Sequence, residues 1–380
     1  MEKIYRIGVL APHSGRYPAL ASDFVNCLRR PLSSAGIRHE LLVEGIGFGN
    51  KLDKVLEACQ KLVFSDVDVV VALLGHRFHD RIFSFFQDNN KLLLFSDFGS
   101  EKPPIAKLGK NIFANSLGLW QSMRYGALRH AELGQSKFAL LSSFYEAGYG
   151  IASSYTEAML ESGHGEVMLN YFYPDKPEAG EANRLLGLLE GLEVDTALLS
   201  FSGPDSARFH EVLQETDLGQ RLRLCSPEGA FSRDLIFENP EVYAGMEMFG
   251  SWFPELESEA NQSFLEWFED TYERTPVYSA LLGFENGLAL AKAIEYAEGE
   301  RKTKVLREAM ENVTVEGPRG TIDFQESHKT RPSHYVGKVI VDKDDCRIEV
   351  SDRIDMDDNT PAEVTEGERG GWLNAYMCVD

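Results

Sequence analysis

The stretch Leu62 to Pro104, LVFSDVDVVVALLGHRFHDRIFSFFQDNNKLLLFSDFGSEKPP, constrains the fold more than any other, because it spells out one complete strand, helix and strand. Val67 to Leu74 is a continuous apolar run, Asp80 to Asn90 carries Ile82, Phe85 and Phe86 at helical spacing, and Leu92 to Phe95 is apolar again. Strands without polar alternation are buried on both faces, which is the property of a parallel sheet covered by helices. In such a sheet the loops leaving the carboxyl ends of the strands line the ligand crevice. Here those loops are Gly75 to Asp80 and Asp97 to Pro103. Both flank helix starts, where backbone N–H groups favour a small anion such as a carboxylate.

The same rhythm runs through the chain. Ile7 to Ala11 and His39 to Val43 read as strands, with helices over Ala19 to Leu32 and Asp53 to Phe64; Asn111 to Ala114 is a further apolar segment. After a polar break at Asn115 to Ser122 and a helix through Glu132, the alternation restarts. Strands at Phe138 to Ser142, Glu166 to Phe172, Thr196 to Phe201 and Arg223 to Cys225 are separated by helical patterns, which predicts a second parallel sheet. Long helical patterns follow at Glu257 to Arg274, Ser279 to Ala297 and Lys304 to Glu311, and His334 to Val341 with Cys346 to Val350 reads as a hairpin. The fold class is therefore α/β, with two doubly wound parallel-sheet lobes, and the break at Asn115 to Ser122 is a candidate passage between them. The expected lobes are 1–116 plus 251–327 and 117–250 plus 328–351, with an acidic tail over 352–380 in which only Trp372 to Met377 looks able to pack.

A chain of 380 residues suits about two to three domains. Sixty acidic against 38 basic residues leave a formal charge of −22, which repels phosphate backbones and argues against a nucleic-acid partner. No apolar stretch approaches the roughly 18 to 20 residues of a membrane span, and Met1 leads directly into a strand without a signal peptide. Two locations stay open on that basis: extracytoplasmic if a leader was removed, cytoplasmic if Met1 is the native start. The five cysteines are scattered and never form a CxxC pair. No phosphate-binding loop, GxGxxG turn, GxSxG elbow or HExxH helix is present, so no cofactor, metal or catalytic residue is expected.

What remains is a set of strand-end polar and aromatic residues: Tyr17, His76, Arg77, His79, Ser100, Trp120, Tyr149, Ser202, Asp205 and Glu228. Singly, each has a plain alternative. Trp120 and Tyr149 could be core aromatics, His76, Arg77 and His79 exposed loop groups, and Glu228 a solvated strand end. Their convergence on one crevice is the expectation that makes them a candidate site.

The segments Ile7-Gly-Val-Leu-Ala-Pro-His-Ser-Gly, Tyr149-Gly150, Ser226-Pro-Glu-Gly and Gly317-Pro-Arg-Gly through Tyr335-Val-Gly-Lys-Val, in this order, resemble the type I periplasmic binding proteins of the leucine/isoleucine/valine-binding branch. The resemblance covers the chain to about Val341 and is specific as an ensemble. It implies two lobes, joined by three crossovers near Asn115, Gly250 and Ser327, that close on a small solute, an amino acid or related small carboxylate, for delivery to an ABC permease. By the same resemblance, Glu228 would take the ligand's ammonium, Tyr149 would close from the second lobe, Tyr17 and Ser100 would touch the ligand from the first, and Phe98 would contribute its backbone. His79 stands where the family has a small hydroxyl residue and Trp120 where a shorter polar one is usual, which implies an aromatic or amide-bearing ligand. A cytosolic ligand sensor on the same fold is the alternative function, and an enzyme using His76, His79 and Glu228 a third.

Overall fold

The computed structural model describes residues 4–15, 17–101, 108–143, 146, 150–163, 165–174, 176, 178–324, 327–342 and 345–354. The first half alternates as expected: β1 (Tyr5–Ala11), α1 (Leu20–Ser34), β2 (His39–Gly45), α2 (Leu52–Phe64), β3 (Val69–Leu73), α3 (His79–Asp88), β4 (Leu92–Asp97) and β5 (Ile112–Ser116). These strands form one sheet in the order β2-β1-β3-β4-β5. Each neighbouring pair is parallel. Every side chain of β3 is buried, as the unbroken apolar run demands.

The second half supplies α4 (Leu119–Glu132), β6 (Lys137–Ser143), α5 (Gly150–Glu161), β7 (Glu166–Tyr173), α6 (Glu181–Glu190), β8 (Thr196–Ser200), α7 (Pro204–Gln214), α8 (Leu218–Arg221), β9 (Arg223–Pro227), α9 (Arg233–Glu238), α10 (Pro240–Tyr243) and β10 (Glu247–Gly250). The chain then forms α11 (Glu259–Tyr272), α12 (Tyr278–Tyr296), α13 (Thr303–Glu311), β11 (Thr314–Gly317), β12 (Gly320–Asp323), β13 (His334–Asp342) and β14 (Asp345–Ile354). The second sheet runs β14-β13-β10-β9-β8-β6-β7. It is parallel from β7 to β10 and closed at the other edge by the antiparallel β13–β14 hairpin. In both sheets the strand order reverses after the first pair, beside β1 and beside β6, and a crevice at the strand carboxyl ends follows from that.

Strand β10 escapes a reading by hydrophobic pattern because it begins with a charge. Glu247 is buried in the strand, where it accepts a hydrogen bond from His130 at 2.8 Å, and the other imidazole nitrogen meets the Tyr155 hydroxyl at 2.6 Å. A buried carboxylate is tolerated when it is paired. His130 and the neighbouring Arg129 and Arg223 outweigh burial and hold the Glu247 carboxyl below its usual range.

Helix α12 returns from the C-terminal half to cover the first sheet, lying against α1 at backbone distance. A Cβ at Gly283 would sit 2.3 Å from the carbonyl oxygen of Phe24, and one at Gly287 would sit 2.5 Å from that of Leu28. Glycines four apart share one helix face, so both remove side-chain bulk from the same seam.

The chain passes between the two lobes after β5, after β10 and between β12 and β13. Arg319, which is buried with Glu285, touches the first two passages directly and is joined to the third through Asn115. The guanidinium donates to both Glu285 oxygens, the closest at 2.6 Å. It also reaches the Asn115 side chain at 2.8 Å, the Ser116 carbonyl at 3.0 Å and the Ser251 hydroxyl at 3.1 Å. Thr330 of the third passage donates to the same Asn115 oxygen at 3.2 Å, and residues 328–330 lie along β5 through backbone bonds to Ala114.

Removing one member of a buried ion pair strands the other charge and costs about 3 to 5 kcal/mol, whereas replacing both by apolar groups is often neutral. Arg319→Met and Glu285→Leu are therefore each expected to lower the urea midpoint strongly. The double variant should recover a large share of the loss, and simple additivity of the two single losses would contradict the arrangement.

Candidate functional site

A cavity of about 540 Å³ opens between the carboxyl ends of the two sheets. Tyr17, Leu20 and Phe98 line it from the first sheet's loops and residues 274–279 from the turn into α12; the opposite wall is built from residues 228–237, with Trp252 and Pro254 of the second passage. This volume falls in the usual range for a small-molecule site, roughly 300 to 1,000 Å³.

Glu228 sits at the turn that leaves β9, where its backbone N–H bonds to the Phe249 carbonyl at 2.9 Å. Its side chain is 4% exposed. One carboxylate oxygen accepts from Arg233 at 2.9 Å and the other from the Tyr278 hydroxyl. Burial pushes its pKa up, opposed by the Arg233 charge and by the Tyr278 hydrogen bond. Arg233 opens α9, directly after the cap Ser232, and its second arm binds Glu255. Its guanidinium lies over the Phe237 ring at 5.9 Å. Two unit charges about 4 Å apart interact by about 4 kcal/mol at an effective dielectric of about 20. Arg233, shared with Glu255, therefore offsets part of the pull that Glu228 would exert on a ligand cation and occupies one of its oxygens.

Tyr278, the first residue of α12, packs its ring 5.9 Å from Trp252 and 6.2 Å from Phe98. The Trp252 indole N–H is anchored on Asn261 at 2.8 Å. Next to Tyr278, Ser279 lines the cavity, and its buried hydroxyl has no hydrogen-bond partner among the described residues. Buried hydroxyls are nearly always satisfied, so such a group marks a place for a ligand atom or water. Arg274 also lines the cavity and binds Asp23 of α1 at 2.5 Å; burial, partly offset by this arginine, raises the Asp23 pKa.

Of the residues expected from the sequence, Tyr17, Phe98 and Glu228 line this cavity. Ser100 is buried nearby, and its carbonyl together with the Glu101 side chain crowds Gly150. Glu101 accepts the Gly150 N–H at 2.6 Å, a bond from the first lobe to the start of α5 in the second. Tyr149 lies outside the described residues. Trp120 is buried at the start of α4, held by its N–H to the Gly99 carbonyl at 2.8 Å. Ser202 bonds to the buried Glu146, and Asp205 pairs with Arg208 at 3.0 Å within α7.

His76 is buried in a single helical turn after β3, and Arg77 stacks on Phe78 at 5.7 Å. His79 is packed 4.8 Å from both Phe83 and Phe95, whose side chains belong to the cluster under α2 and α3. Among the described residues lining this cavity the arginines are Arg233 and Arg274, while His79 stands in an aromatic cluster with Phe83 and Phe95. Arg233, Trp252, Tyr278 and Ser279 went unnoticed in the sequence. The only available signal was the Pro276-Val-Tyr-Ser start of a helix and an arginine five residues after Glu228. Among the described residues, no group of three or more His, Cys, Asp or Glu side chains could hold a metal ion, and no helix is long and apolar enough to cross a membrane.

The family profile described as periplasmic binding protein matches residues 4–345. The chain belongs to that family. No curated protein matches it in sequence. Among solved structures it is similar to an ABC transporter substrate-binding protein from Sphaerobacter thermophilus, with 20% identity, a TM-score of 0.79, and coverage of 94% of this chain and 99% of that one. A solute-binding protein from R. palustris in complex with benzoate shares 20% identity and a TM-score of 0.72 over 91% and 95% of the two chains. The leucine-binding protein of Thermotoga maritima shares 17% identity and a TM-score of 0.68 over 91% and 98%. At these identities the likeness is one of fold.

Because the folded state raises the pKa of Glu228, its contribution to stability is fully present below the ordinary carboxylate value and is lost as pH rises through the folded-state value. Wild type should therefore lose stability relative to Glu228→Gln as pH is raised from about 4 to 7.5. Urea unfolding of both proteins at the two pH values checks this, and a difference that grows in favour of wild type contradicts it.

Proposed function

We propose that this protein is a solute receptor whose two lobes close on a small carboxylate, an aromatic acid or an amino acid, and present it to an ABC permease. The observation that carries this reading is the cavity itself: its walls come from both sheets, and they meet across the three passages pinned at Arg319. A ligand touching both walls binds the closed form better than the open one, and only such differential affinity moves the population. Tyr278 illustrates the coupling, since it belongs to α12 over the first sheet yet donates to Glu228 at the end of β9. Support for the ligand class comes from two sides: the aromatic walls with two arginines, and similar folds solved with benzoate and with leucine.

We take the lobes to be 1–116 plus 251–327 and 117–250 plus 328–351. The location outside the cytoplasm belongs to this reading and follows the family. The reading is of a binder, which is what the family is, and the Glu228, Arg233 and Tyr278 groups of the cavity floor are tied to one another.

A thermal-shift panel of benzoates, leucine and other small acids tests the reading. A ligand at 100 times its dissociation constant should stabilise the protein by about 2.7 kcal/mol. Small-angle scattering should show a smaller radius of gyration at saturation with the best ligand. A panel in which no acid moves the melting temperature would sink the reading, and an unchanged scattering profile at saturation would rule out closure.

A further inference from the structure

The reading of the cavity as a site for small acids can be carried one step further, to the question of whether the ligand bears an amine. Glu228 is the buried carboxylate among the lining residues; the other lining acid, Asp234, is exposed and screened by water. Both Glu228 oxygens are engaged, one by Arg233 at 2.9 Å and one by the Tyr278 hydroxyl. Arg233 is held from three directions, by Glu228, by Glu255 and by the face of Phe237. An incoming ammonium would thus meet a carboxylate whose two oxygens each already accept a hydrogen bond, one of them from a guanidinium that Glu228 shares with Glu255. It would lose its own hydration and would have to displace Arg233 or the Tyr278 hydroxyl to gain a partner there.

An incoming carboxylate meets better conditions. A guanidinium carries five N–H donors, and one from each terminal nitrogen of Arg233 is accounted for by Glu228 and Glu255. Arg274 lines the same cavity with one bond to Asp23, and the Ser279 hydroxyl adds a donor. Around them stand the rings of Tyr17, Phe98, Phe231, Phe237, Trp252 and Tyr278.

Resting on the solute-receptor reading, we propose that the cavity selects apolar and aromatic monocarboxylates that carry no α-ammonium, and that Arg233 is the residue that sets this preference by occupying the cation position on Glu228. The inference concerns specificity alone, and it assigns to Glu228 a role as anchor for Arg233 in place of ammonium recognition.

The experiment uses matched pairs that differ only in the amine: L-phenylalanine against 3-phenylpropionate, and L-leucine against 4-methylpentanoate, with benzoate as a further acid. Calorimetry on the whole chain should find the amine-free member at least tenfold tighter in the pair that binds. In Arg233→Met, which keeps the bulk and removes the charge, Glu228 is released and the ratio should move at least tenfold toward the amino acid. Arg233→Lys keeps the charge and should keep the preference, which guards against a variant that merely fails to fold; the wild-type comparison needs no variant at all. Equal or tighter binding of the amino acid by wild type overturns the Arg233 assignment while leaving the receptor reading intact. A ratio unmoved in a folded Arg233→Met overturns it too. Binding of none of these acids overturns both readings together.

Discussion

A single guanidinium ties the molecule together. Arg319 is buried against Glu285 and reaches residues of the first and second passages between the lobes, while the third is joined to it through Asn115. Glu285 and its neighbour Asn286 also receive the Asn115 amide, at 3.0 and 3.2 Å, and Asn286 extends the network to Ser96 at the end of β4. A fully connected polar network of this kind adds little to stability over an apolar core, and its value lies in permitting only one arrangement. The planar fork of arginine suits this place, since it directs several donors in fixed directions where lysine offers a mobile point charge. Three passages of chain that cross side by side are thereby held together by one connected set of bonds.

The cavity depends on this arrangement because neither sheet builds it alone. The floor at Glu228 comes from the end of β9, while the hydroxyl that bonds to it is delivered by α12, a helix seated on the other sheet. Helix α12 can deliver Tyr278 reliably because its glycine seam with α1 leaves no side-chain layer in which to slide. A hinge, a rigid helix pair and a strand-end carboxylate are thus links of one chain of support.

Much of this architecture was legible in the sequence because unbroken apolar strands and helix-spaced apolar residues record burial directly, as in Val67 to Leu74 and Asp80 to Asn90. Where burial is achieved by pairing, the record is erased. Glu247 hid β10 because its carboxylate is buried through a hydrogen bond with His130, a residue 117 positions away. The candidate site shows the same limit. Tyr17, Phe98 and Glu228 stand at strand ends and could be picked out from position alone, whereas Arg233 and Tyr278 matter through partners 5 and 50 residues distant from them. His79 shows another limit: its position beside a crevice loop is legible in the sequence, but the contact of its ring with Phe83 and Phe95 depends on how the chain packs.

The bond from Glu101 to the backbone of Gly150 joins a first-lobe loop directly to the start of a second-lobe helix. A carboxylate at the start of a helix is favoured by the exposed N–H groups and by the positive helix end. A bond that favours approach of the lobes would raise the fraction of empty receptors that stand shut, and apparent affinity equals intrinsic affinity scaled by the binding-competent fraction. A permease that responds to the shut shape would then register a background from unloaded receptors. The strength of one such bond is in this way a trade between sensitivity to scarce solute and silence in its absence.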